Sequence, residues 1–148
     1  MATGETIPRI DDPEAVKAEW LSRLNALVGE VEGWARAYGW RTRRISKTVD
    51  ERRIGSYKVP VLMMEKDTVE VVLNPVARFV PGAEGAVDLY AAPAYDDIAS
   101  LYFEGDRWVV HSGERPDPTA RESVVEISPR PYSEQTIRAI LDEMAVNG

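Results

Sequence analysis

A chain of 148 residues with 18 Lys and Arg against 25 Asp and Glu carries a formal net charge of −7. That is about one domain's length, and the charge is unsuited to general nucleic-acid affinity of the whole molecule. There is no cysteine, which excludes disulfides, thiolate zinc sites, iron–sulfur clusters and cysteine nucleophiles, and no run of about 18 apolar residues that would cross a bilayer as a helix.

Met1 to Ile10 lacks the basic-then-apolar order of a signal peptide and reads as a short disordered lead. The expectation is a cytoplasmic protein with a single α+β domain over 11–148. Asp12 and Pro13 suit the N-cap and first position of a helix. From there Val16, Trp20, Leu24, Leu27, Val31, Trp34 and Tyr38 recur at spacings of three and four, and Gly39 supplies the stop. The spacing predicts a helix over 13–38. On its back, Ala15, Ser22, Ala26, Gly29, Gly33 and Ala37 form a ribbon of small residues. Two interior glycines each cost a helix about 1 kcal/mol relative to alanine, so the ribbon Ala26, Gly29, Gly33, Ala37 is a candidate contact with a second copy of the chain.

Beyond Trp40 the pattern becomes strand-like, with strands expected near 41–49, 58–65, 68–74, 76–80, 86–91, 98–104, 107–112 and 123–127. Gly105-Asp106 is a two-residue hairpin signal. It pairs Glu104 with Arg107, Phe103 with Trp108, Leu101 with Val110 and Ser100 with His111. Lys66-Asp67 is a second turn, which sets Leu62, Met64, Val69, Val71 and Leu73 on one face. Pro81 to Gly85 marks a third connection, with its glycines read as hairpin punctuation rather than a phosphate loop. Residues 113–122 read as a surface loop. Ser133 opens a last helix whose Ile137, Ile140, Leu141, Met144 and Ala145 make one apolar stripe. The order predicts an α+β fold: a mainly antiparallel sheet of about six to eight strands, one face covered by a long N-terminal and a short C-terminal helix. Its core joins the first helix to Leu101, Phe103, Trp108 and Val110.

Positive charge is concentrated in one place. Residues 41–58 hold Arg41, Arg43, Arg44, Lys47, Arg52, Arg53 and Lys58 against Asp50 and Glu51, a balance of +5, while the remaining residues sum to −12. Such polarity favours association with a charged partner. Neither face of strand 41–49 is apolar enough for a central strand, so it reads first as an edge protected by charge. Its second reading is a binding site for an anion or acidic partner through Arg41, Arg43, Arg44, Arg52 and Arg53, with Trp40 and Tyr57 available to stack.

His111, the only histidine, falls beside Ser100, Tyr102 and Glu104 in the hairpin register. Nucleophile, base and carboxylate make this grouping a candidate catalytic site, though a solvated histidine on a sheet face explains it as well. Asp88, Asp96 and Asp97 are oxygen donors without the spacing of a calcium loop, and they read as turn and strand residues. No metal and no cofactor is expected. The chain is therefore expected to be a non-enzymatic interaction domain whose partner is another protein or a second copy. The alternative is a small-molecule-binding or hydrolytic domain with a pocket between the long helix and a curved sheet. Nucleic acid and membrane are disfavoured as partners.

Overall fold

The computed structural model describes residues 12–93, 98–114 and 126–147. In chain order these form α1 (Pro13–Ala37), β1 (Arg41–Glu51), β2 (Gly55–Lys66), β3 (Val69–Ala77), β4 (Ala86–Ala92), β5 (Ile98–Glu104), β6 (Arg107–Glu114), β7 (Glu126–Pro131) and α2 (Glu134–Asn147). The strands make one antiparallel sheet ordered β1-β2-β3-β4-β5-β6-β7, and both helices pack on the same face through a continuous apolar cluster. The fold is α+β, as the order of elements requires. No helix among the described residues is long and apolar enough to cross a membrane.

Each helix begins where its cap dictates. The Asp12 carboxylate accepts a bond from the Ala15 N–H at 3.3 Å, and Ser133 Oγ accepts one from the Thr136 N–H at 3.2 Å. Gly39 follows α1 with φ of 91°, a conformation that favours glycine. The buried stripe of α1 is Trp20, Leu24, Leu27, Val28, Val31 and Ala35. It includes Val28 and Ala35, which the expected spacing passed over, and leaves Trp34 and Tyr38 at its margin. Those two serve the C-terminal part of the chain instead: the Trp34 ring centroid lies 5.5 Å from that of Tyr132, between β7 and α2, and the Tyr38 hydroxyl donates to Glu134 of α2.

The Gly105-Asp106 hairpin has the expected register, with Phe103 opposite Trp108, Leu101 opposite Val110 and Ser100 opposite His111. Leu62, Met64, Val69, Val71 and Leu73 all face the helices in the core. The expected strands 68–74 and 76–80 are one strand, β3, which runs through Pro75 with an irregularity between Pro75 and Ala77. After it, Val80 and Ala83 form an isolated bridge. The last strand runs over Glu126–Pro131, past the expected end at 127, and positions 123–125 lie outside the described residues. The lead at 1–10 and loop positions 115–122 lie outside the described residues, and positions 113 and 114 belong to β6.

Prolines shape the β1–β2 hairpin. The β2–β3 ladder stops at Leu62 opposite Leu73; continued by two residues it would set Pro60 against Pro75, neither of which has an N–H to donate. Beyond that point burial in β2 moves from Leu62 and Met64 to Tyr57 and Val59, and the hairpin end closes over the start of α1. Trp20 Nε1 donates to Tyr57 Oη at 3.2 Å, and the Tyr57 hydroxyl donates to Glu51. The Glu51 carboxylate also accepts the Arg78 and Phe79 backbone N–H groups at 2.9 and 3.0 Å. One carboxylate thus ties the end of β1 to the segment after β3.

Candidate functional site

β1 is an edge strand eleven residues long, paired along its whole length with β2 on one side. Its residues are mostly exposed because alternate polar and charged side chains leave neither face suited to the core. The cations of 41–58 divide into two groups. Arg44 is held by Glu32 of α1, with Nε and Nη2 at 3.1 and 2.8 Å from Oε1, and Thr42 and Arg36 bind the other oxygen. Burial pushes the Glu32 pKa up, but the hydrogen bonds from Arg44 and Thr42 and the charges of Arg44 and Arg36 outweigh it. Its carboxyl is held below the ordinary value. Arg41 pairs with Glu65 at 2.5 Å, and Lys47 Nζ donates to Asn74 Oδ1 at 2.6 Å. Burial lowers the Lys47 pKa, opposed by the charge of Asp88. Arg53 lies over the Phe79 ring at 5.1 Å.

Arg43, Arg52 and Lys58 are exposed, and among the described residues they form no ion pair. Arg43 stands at an open groove of about 320 Å³ lined by Arg41, Thr42, Arg43, Met63, Glu65 and Glu70. Of the five arginines expected to bind, Arg41 and Arg44 are therefore engaged within the chain, whereas Arg43 and Arg52 face outward. Trp40 and Tyr57, expected to stack on a ligand, are buried at 3% and 7% exposure. Trp40 is covered by the Lys66 side chain, and Tyr57 by its contact with Trp20. Neither surface-forming role was accessible to aromatics so close to a two-helix core.

The face of the sheet away from the helices carries a polar row. Asn74, Asp88, Ser100 and His111 stand opposite one another across β3, β4, β5 and β6. Tyr102 meets His111 edge-on, with ring centroids 5.1 Å apart, and His111 Nε2 lies 3.8 Å from Glu104 Oε2. The four residues of the candidate catalytic group are thus neighbours. The serine hydroxyl, however, donates to Asp88 Oδ1 at 3.2 Å, toward the carboxylate and not toward the imidazole that would have to activate it.

Among the described residues no three His, Asp or Glu side chains converge on a metal position. Asp96 and Asp97 lie outside the described residues; Asp88 serves Ser100. The space between α1 and the sheet is filled by Trp20, Leu24, Leu27, Val28 and Val31. Ala26, Gly29, Gly33 and Ala37 are exposed along α1. A Cβ on Gly33 would meet nothing within 4 Å, and one on Gly29 would meet only the Arg44 guanidinium at 3.8 Å.

Sequence reasoning missed Glu32 as the partner that anchors the basic strand to α1. Its one local signal, the four-residue spacing to Arg36, gives an ordinary helix pair and says nothing of Arg44. Comparisons with family models, curated proteins and solved structures give no match.

Proposed function

We propose that this chain is a non-enzymatic interaction domain that takes an acidic protein partner on the basic edge of its sheet. The observation that carries the reading is a set of exposed cations that form no ion pair among the described residues, Arg43 on the edge strand β1, Arg52 in the turn after it and Lys58 on β2, in a chain of net charge −7. Such cations, with Arg43 beside an open groove, offer a carboxylate somewhere to bind. The hydrolytic alternative lacks support from the Ser100 hydroxyl, which is committed to Asp88.

The test is titration of a fluorescent polyglutamate peptide, with duplex DNA of equal charge as the comparison. Binding of the peptide should weaken at least tenfold in the double variant Arg43→Glu, Arg52→Glu, and should fall steeply with salt, as exposed charges are screened over about 10 Å. His111→Ala should leave it unchanged. Peptide affinity that ignores the charge reversal, or that persists undiminished at high salt, overturns the proposal.

A further inference from the structure

We infer that the acidic partner is taken as an added β-strand, backbone to backbone along β1, with a carboxylate beside Arg43 and an apolar side chain two residues away beside Ile45. This rests on the reading of the β1 edge as the binding surface and specifies how that surface is used.

The two edges of the sheet are built differently. β7 is six residues long and contains Pro129 and Pro131, each of which deletes a backbone donor, so that edge is blunted. β1 is almost twice as long, contains no proline, and makes no backbone hydrogen bond in the direction away from β2 among the described residues. A strand end carries its hydrogen-bonding groups outward at every second residue, so β1 offers an extended row of donors and acceptors already held in strand geometry. Strand addition gains affinity from those main-chain bonds and selectivity from the alternating side chains beside them.

The side chains specify the occupant. Arg43 and Ile45 are two residues apart and therefore share a face. Arg43 pairs across to Met63 and Ile45 to Val61, and Ile45 is 44% exposed. An incoming strand places every second side chain on that face, so one lies beside the Arg43 guanidinium and the next beside the Ile45 side chain. The matching pattern is an acid followed, two positions on, by an apolar residue. Arg41 and Arg44 do not compete, since Glu65 and Glu32 hold them.

The same charges exclude the commonest wrong partner. Antiparallel pairing of two β1 strands can bring Arg43 of one copy against Lys47 of the other on the same face, and like charges directly opposite are destabilising. Charge therefore disfavours self-pairing at this edge and favours an acidic strand.

The experiment uses the full chain and an end-blocked heptapeptide, Thr-Glu-Thr-Val-Thr-Glu-Thr, in three forms: unmodified, N-methylated at the Glu and Val positions, and N-methylated at the Thr positions. In an added strand only one of these sets of amides faces β1. One methylated peptide should therefore lose affinity about tenfold or more, while the other stays within about threefold of the unmodified form, since only the first loses its main-chain bonds to β1. Hydrogen exchange of the bound protein should show new protection at every second amide of β1. Equal affinities for the two methylated peptides, or uniform exchange along β1, overturn strand addition and leave side-chain docking at Arg43 standing. If the unmodified peptide fails to bind, or binds Arg43→Glu equally well, the interaction-surface reading falls with it.

Discussion

Trp20 lies flush against Gly85: a Cβ on that glycine would clash with Cζ3 and Cη2 of the six-membered ring and stand 3.2 Å from Cε3. The indole has no room to retreat, being fully buried and held by its bond to Tyr57. Gly85→Ala should therefore destabilise the protein by about 1–3 kcal/mol, the usual cost of overpacking. Chemical denaturation measures it, and an unchanged midpoint would place the indole elsewhere.

Tyr57 is the acceptor for Trp20 Nε1 and a donor to Glu51. Burial first, then the hydrogen bond and charge of Glu51, push its phenol pKa far upward, so it stays neutral at any working pH. Tyr57→Phe leaves the indole N–H buried without a partner, a loss of about 1–3 kcal/mol. The Glu51 bonds to Arg78 and Phe79 survive, so near-ultraviolet spectra should change around Trp20 while the fold persists.

Phe103 and Trp108 face each other across the β5–β6 hairpin with ring centroids 5.3 Å apart at 78°, and Trp108 reaches the Trp20 ring at 6.1 Å. Replacing either with Ala should cost about 3–5 kcal/mol. A cost below about 1 kcal/mol at both sites would contradict the packing of the hairpin against α1.

Glu32 gives stability a pH dependence of definite sign. Its folded pKa lies below the ordinary 4.5, so the folded state favours the ionised carboxylate. The stabilisation is complete above the unfolded value and is lost as pH falls through the lower folded one. Glu32→Gln should be less stable than the parent near neutrality, and the gap should close as pH falls through the lowered folded pKa, below which the carboxyl is protonated in both states. A constant gap across that range in urea titrations would detach the effect from ionisation.

Gly29 and Gly33 both have space for a methyl group. In the isolated chain Gly33→Ala and Gly29→Ala should each stabilise α1 by about 0.4–1 kcal/mol, through the smaller backbone entropy of the unfolded state. A homodimer packed through Ala26, Gly29, Gly33 and Ala37 requires the opposite sign and a mass that falls on substitution. Thermal unfolding paired with sedimentation at high concentration separates the two.

Legibility followed the range of the interactions. The Ser100–His111 register was readable because a two-residue turn at Gly105-Asp106 fixes every pair after it. Both helix starts were readable because Asp12 and Ser133 act within three residues. The unpaired position of β1 followed from its having no apolar face. What escaped depended on residues distant in sequence. Nothing near Gly85 announces the ring of Trp20, and the end of the β2–β3 ladder depends on Pro60 and Pro75 coming abreast. Arg43 and Arg44 are indistinguishable in the sequence; they differ because Glu32 lies within reach of only one.

The chain-order sheet also bears on how fast the molecule assembles. Every strand pairs with its neighbour in sequence, so each ladder joins segments close together in the chain, and little chain entropy is lost before contacts form. The distant closures include Trp20 of α1 on Trp108 and, at the start of α2, the bonds between Tyr38 and Glu134 and between Tyr132 and Glu30, the latter at 2.6 Å. During synthesis α1 emerges before the sheet, but the part of the core face that α2 covers, on β3 and α1, stays bare until α2 leaves the ribosome, so loss of α2 by truncation would expose that apolar surface to aggregation.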